Sequence, residues 1–229
     1  FPDYKIPDLV ISEKFAAEHK YASNLLECTR SRDYLEYLDM GGREMLLWRA
    51  AGEGGYLGQI ANSFLILAAK SSSAISKLAA PDFAHLPKFN RRVEYCTLAK
   101  KSAGVNRVCR EFIDKKAAQR SGAVNGVIHS PESVEPYYDG PLLSVVWSRA
   151  LLSEKHFDEF DQGVREYFTF LEKAENLNLD LLPSNIVLVD GRYEVIDKEW
   201  HTEWPVFAEL LLFRAIIIFV ASYRSLLFE

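Results

Sequence analysis

The chain has 229 residues, 48% hydrophobic and 13% aromatic, which is the make-up of a globular protein able to bury a sizeable core as one large domain or two small ones. A formal charge of −5 and a pI near 5.6 give no electrostatic reason to expect nucleic acid as a partner. Cys28, Cys96 and Cys109 are widely spaced with no C-x-x-C pair, so neither a disulfide framework nor a zinc site is indicated, and reduced thiols in a cytoplasmic protein are expected. His19, His85, His129, His156 and His201 share no metal-ligand spacing and read as surface or core residues. No secretory segment opens the chain, and its start at Phe1 is expected of a piece of a longer protein.

Residues 1–7 form a proline-punctuated opening, and Ser12-Glu13 is a helix start. Residues 14–38 carry few breakers and are expected to be helical, with a second helix over 43–51. The glycine-rich run at 52–58 is one place off a dinucleotide loop and follows a helix, so it reads as a flexible connector. Residues 62–69, NSFLILAA, are expected to be a buried strand, and Ser71-Ser72-Ser73 with the proline-bearing 81–87 region sets a boundary near residue 80. Strand-like segments at 93–101 and 105–113 are joined by Ser102-Ala103-Gly104 as a hairpin. VEPYYDG at 134–140 turns into an amphipathic helix at 142–152, and 156–172 is a helix with Phe157, Phe160, Val164, Phe168 and Leu171 on its core face. The apolar stretch 206–228 is interrupted by Glu209, Arg214 and Arg224, short of the roughly 18 uncharged residues that a span requires. It reads as a buried helix whose Glu209 and Arg214 must be bonded.

The most informative stretch is 179–200, LDLLPSNIVLVDGRYEVIDKEW. Two apolar runs meet at Asp190-Gly191, the signal for a hairpin closed by a type I′ turn. The register then pairs Leu188 with Tyr193, Val187 with Glu194 and Ile186 with Val195, so Asn185 and Asp197 meet at the open end. Pro183 favours a turned path that returns Asp180 to the same place. Two carboxylates and an amide oxygen suit magnesium carrying a nucleotide triphosphate, and one carboxylate can orient an attacking hydroxyl.

The D-x-x-x-x-N spacing of Asp180 and Asn185, the hairpin after it, and Ile196-Asp197 resemble the catalytic loop and metal-binding aspartate of the protein-kinase-like fold. The ending Asp197-Lys198-Glu199-Trp200 is more similar to glycan and small-molecule kinases than to the Asp-Phe-Gly of protein kinases. The resemblance implies ATP and Mg2+ as cofactors, Asp180 as catalytic base, and Asn185 and Asp197 as metal ligands. It also implies that Arg110, at the lysine place of a Val-Ala-x-Lys strand, steadies the phosphates, and that Pro136 to Tyr138 form the hinge receiving adenine. The chain departs from the pattern in three places. Asn178-Leu179 replaces His-Arg, Ser102 to Gly104 falls short of a phosphate-covering glycine loop, and 114–120 offers no glutamate partner. FPDYKIPDLVIS with the later ANSFLILAA is similar to the tail of bacterial sugar-pathway methyltransferases, although no strand, glycine-rich turn and helix for a methyl-donor nucleotide is present.

These likenesses imply an α+β protein-kinase-like two-lobe fold, with a small antiparallel N-lobe sheet over about 81–138 and a mainly helical C-lobe over about 139–229, truncated at Glu229. A helical and strand segment at 1–80, resembling the end of a methyltransferase domain, precedes it. The expected function is that of the bifunctional methyltransferase and kinase proteins of O-antigen synthesis: Mg-ATP-dependent phosphorylation of a sugar hydroxyl on a bacterial surface polysaccharide. Glycan and membrane-associated assembly proteins are the implied partners, at the cytoplasmic side of the inner membrane. The alternatives are a non-catalytic kinase-like module, a fragment of a methyltransferase fusion, and an interaction domain whose 206–228 helix makes a homo-oligomer.

Overall fold

A computed structural model describes residues 7–27, 41–60, 70–71, 73, 81–87, 91–119, 122–154 and 156–227. The expected strand at 62–69 and much of the expected helix at 14–38 lie outside them. In chain order the first elements are β1 (Leu9–Ile11), α1 (Glu13–Glu18), α2 (Asn24–Glu27), α3 (Gly41–Glu53), β2 (Pro81–His85), β3 (Thr97–Ser102), β4 (Arg107–Phe112) and α4 (Lys115–Ala118). They are followed by β5 (Val127–His129), β6 (Val134–Pro136), α5 (Leu143–Leu151), α6 (His156–Lys173), β7 (Ile186–Val189), β8 (Arg192–Val195), β9 (Trp200–Thr202), α7 (Ala208–Ser222) and α8 (Arg224–Leu227). The fold is mixed α+β and divides into two compact units. Unit 1 comprises Phe1–Thr29, Leu47–Arg120 and Ser133–Tyr137, and unit 2 comprises Arg30–Leu46, Ser121–Glu132 and Tyr138–Glu229.

Unit 1 is built on a five-stranded antiparallel sheet in the order β1-β2-β3-β4-β6. It takes β1 and β2 from opposite sides of the boundary expected near residue 80. The β3–β4 hairpin forms at the expected turn, but its first strand is shorter than expected, because Val93–Tyr95 make a 3-10 turn. The hairpin is closed by Val105 N–H to the Ser102 carbonyl at 3.2 Å and by Gly104 at φ +73°. A residue without Cβ takes that conformation at no steric cost. Directly paired residues share a face, so Phe83, Lys101, Val108 and Glu135 form one row across four strands. That face is covered by Phe15, Ala16, Ala22, Ala51 and Leu57, while Lys100 and Glu111 pair at 2.7 Å on the exposed face.

The helix start at Ser12 is real: its hydroxyl accepts the Phe15 N–H at 3.1 Å. The long helix expected from residue 14 instead ends at Glu18, where His19 turns extended and stacks on Phe15 with centroids 4.2 Å apart. An aromatic cluster of Phe15, His19, Phe83 and Tyr137 outweighs the local helix propensity. The glycine run begins inside α3, and the rest of it makes turns. Gly52 lies in the last turn of α3, and a Cβ there would meet Ser23 at 2.6 Å.

Unit 2 packs α5, α6 and α7 around Trp147, whose ring meets Phe160, Tyr167 and Phe219 edge-on at 5.4 to 5.6 Å. The row facing this core is Phe160, Val164, Tyr167 and Leu171, so the expected stripe is rotated and Phe157 is 72% exposed. Gly163 explains the rotation. A Cβ there would stand 3.1 Å from the Trp147 indole nitrogen, so the bulky ring sits over a position that has no side chain. The segment after the Asp139-Gly140-Pro141 turn docks on the hairpin. Leu188 donates to the Pro141 carbonyl at 2.9 Å, and a Cβ on Gly140 would meet the Leu188 carbonyl at 2.4 Å.

The helix expected to be buried at 206–228 buries one face only. Leu211, Ala215, Phe219 and Tyr223, four apart, join the core, while Phe207, Leu210, Phe213 and Ile217 are exposed. Glu209 is exposed in the first turn, where water and the helix N-terminus satisfy its charge, so the bonded partner expected for it is not needed. Arg214 is bonded, to a backbone carbonyl, that of Leu179.

Candidate active site

The site is assembled by local geometry around the β7–β8 hairpin. Asp190 and Gly191 take φ of +49° and +75°, the type I′ requirement, and the register pairs Ile186 with Val195, Val187 with Glu194, Leu188 with Tyr193 and Val189 with Arg192. At the open end, Ile196 N–H donates to the Asn185 carbonyl at 2.8 Å, which sets Asp197 beside Asn185. Pro183 opens a short 3-10 turn through Asn185, and the Asn185 amide nitrogen donates to the Asp180 carbonyl at 3.2 Å. Asp180, Asn185 and Asp197 therefore share one end of the hairpin.

Helices fix the backbone on both sides of Asp180. Tyr167, fully buried on α6, donates its hydroxyl to the Leu181 carbonyl at 2.6 Å, and Arg214 on α7 holds the Leu179 carbonyl. Asp180 is itself buried, and its Oδ2 accepts the N–H groups of Glu199 at 2.7 Å and Trp200 at 2.6 Å. Burial pushes its proton affinity up, the two N–H groups pull it down, and the nearby charges of Asp197 and Glu199 push it up again; the net is a carboxyl above its ordinary range. Asp197 is one of three non-glycine residues at positive φ among the described residues, at +59°. Asp and Asn take this region more readily than other side chains, and the other two, Asn125 and Asp190, stand in turns before glycine, whereas Asp197 precedes Lys198.

The donors here are oxygens, the choice of a hard cation. Among the described residues no group of three or more His, Cys, Asp or Glu could hold a metal by itself. The Asp197 carboxylate and the Asn185 amide oxygen are the donors of this end that would hold such a cation, with a phosphate-bearing ligand supplying further oxygens.

Of the other sequence-derived residues, Arg110 and Pro136 lie in unit 1, while Tyr138 packs against Leu142, Val145 and Val187 in the cluster that also takes Ile196, next to Asp197. Arg110 lies on β4 of unit 1 with its side chain 7% exposed, 3.5 Å from Glu135 Oε1 in an enclosed ion pair. Pro136 ends β6, exposed, opposite Arg107. Tyr138 belongs to unit 2, and burial together with a hydrogen bond to Glu194 raises its hydroxyl above the ordinary range.

Two clusters escaped the sequence reading. In unit 1, Lys101 and Asp82 form a buried pair at 2.5 Å, with the ammonium between the rings of Phe15 and Tyr137 at 5.4 and 5.1 Å. The pair lines a cleft of about 310 Å³ with Lys14, His19 and Asn106. In unit 2, β5 pairs with β9, and His129 Nε2 lies 3.4 Å from Glu199 Oε2. The run Asp197 to Trp200 was legible as a motif, but no local signal ties His129 to it. Comparison of the chain with models of known protein families, with curated proteins and with solved structures finds no match.

Proposed function

We propose that this chain is a Mg-ATP-dependent phosphotransferase of the protein-kinase-like two-lobe fold that acts on a sugar hydroxyl of a bacterial surface polysaccharide, at the cytoplasmic side of the inner membrane. One observation carries the reading: Asp180, Asn185 and Asp197 meet at the end of a hairpin whose register is set by its own turn. Mg-ATP, when bound, supplies the phosphoryl group and spreads its charge. The Asp197 carboxylate, on a residue at positive φ, and the Asn185 amide oxygen would hold the cation. Asp180 orients the acceptor hydroxyl. Its Oδ2 is fixed by two backbone N–H groups, so Oδ1 is the oxygen that meets the proton. The sugar acceptor is supported by the likeness of Asp197-Lys198-Glu199-Trp200 to glycan kinases.

A second reading, a non-catalytic kinase-like module, is favoured by Arg110. Its guanidinium is committed to Glu135 in an enclosed pair, which opposes a phosphate-steadying role. Transfer of the labelled terminal phosphate of ATP to polysaccharide acceptors separates the two. The phosphotransferase reading expects magnesium-dependent transfer that falls by about 10²-fold or more in Asp180→Asn. A folded chain with no such transfer supports the module.

A further inference from the structure

Asp180 is held by a strip of backbone, and that strip is itself clamped. The Glu199 and Trp200 amides that bind Oδ2 come just after the positive-φ turn at Asp197, where an unrestrained chain would have freedom to swing. Four contacts remove that freedom. The β5–β9 ladder sets His129 opposite Trp200. The Ser130 N–H donates to the Glu199 carbonyl at 2.7 Å. The Glu199 carboxylate lies 3.4 Å from His129 Nε2, with the two side chains 5% and 0% exposed. The His129 ring also packs on the Trp200 indole, centroids 4.6 Å apart. A buried histidine–carboxylate pair is a poor source of net stability, because desolvation offsets most of the attraction. Its value here is geometric, since the residue that it anchors is the one whose N–H reaches Asp180.

We propose that His129 and Glu199 are positioning residues for Asp180, together holding the Glu199–Trp200 amide pair against one oxygen of its carboxylate. The inference rests on the phosphotransfer reading for its catalytic consequence, not for the clamp itself. With Oδ2 tied to two donors, the carboxylate cannot rotate, and Oδ1 keeps one direction toward an incoming hydroxyl. Loss of the clamp leaves Asp180 in place, tied through Leu179 and Leu181, but releases its orientation. A displacement of about 1 Å at such a group costs on the order of 10²-fold in rate.

The test combines kinetics with amide NMR of the full chain. His129→Phe keeps a ring against Trp200 and removes Nε2. It is expected to lower kcat about 10- to 100-fold with KM for ATP within about twofold, the signature of lost orientation. Glu199→Leu should do the same, and Glu199→Gln, still able to accept from His129, should recover most of the loss. Independently of turnover, the Trp200 amide proton, bonded to a charged acceptor, should lie downfield and move upfield in Asp180→Asn, His129→Phe and Glu199→Leu. If the unmodified chain transfers no phosphate but this resonance responds, the clamp stands and the phosphotransfer reading fails. A Trp200 resonance unmoved by His129→Phe and Glu199→Leu, or an active chain whose kcat those variants leave within twofold, overturns the proposal.

Discussion

Tyr167→Phe isolates the contact that fixes the backbone next to Asp180. The ring keeps its edge-on packing against Trp147 at 5.4 Å, so only the hydroxyl and its 2.6 Å bond to the Leu181 carbonyl are removed. That carbonyl lies in a buried stretch, with Leu181 and Leu182 both in the core, and water cannot easily replace the lost donor. A buried acceptor left unsatisfied costs about 1 to 3 kcal/mol. With a urea m-value of about 2 kcal/mol per molar, the midpoint of the transition that unfolds unit 2 should fall by roughly 0.5 to 1.5 M. Tyr193→Phe is the control, because the Tyr193 ring packs on Phe170 while its hydroxyl makes no hydrogen bond among the described residues. It should shift the midpoint by less than about 0.25 M. Urea denaturation followed by tryptophan fluorescence reads both. Equal midpoints for the two variants would refute the claim that Tyr167 anchors the loop.

Three further outcomes are expected. Gly163→Ala gains about 1 kcal/mol of helix propensity, yet it should be net destabilising in thermal melts. Its Cβ would press at 3.1 Å on a Trp147 ring that three aromatic neighbours keep from yielding; a higher melting temperature would sink this packing account. Gly140→Ala should cost more, because the obstructing atom at 2.4 Å is a backbone carbonyl, and a chain as stable as the unmodified one would show that the turn does not dock on the hairpin as described. Asp180 has a proton affinity raised by folding, so the folded chain binds its proton more tightly than the unfolded one. Stability should therefore fall as pH rises from the ordinary carboxylate range through the raised value, and Asp180→Asn should flatten that fall; a pH–stability slope identical in both chains would contradict it.

What was legible in the sequence was what short-range chemistry dictates. Asp190-Gly191 fixes a turn type, the turn fixes the register, and the register brings Asn185 and Asp197 to one end. The same holds for Ser12 as a helix cap and for the β3–β4 hairpin at Gly104. Contacts between distant segments were not legible. His129 meets Glu199 only because β5 pairs with β9, and Lys101 meets Asp82 only because β2 lies beside β3. Arg110 was read from its strand alone, and its partner Glu135 comes from the neighbouring β6. Helix faces failed for a related reason: periodicity marked α6 as amphipathic, but the large Trp147 ring chose the side with Gly163, turning Phe157 outward.

Calorimetric titration of ATP into the chain, with and without magnesium, tests the proposal that Asp197 holds a cation that brings ATP to Asp180. Magnesium-dependent binding should be lost in Asp197→Ala and retained in Asp180→Asn, since the first would remove a ligand oxygen and the second only the group proposed to face the acceptor. A folded chain that binds no ATP with magnesium present, or binds it equally well after Asp197→Ala, would contradict it.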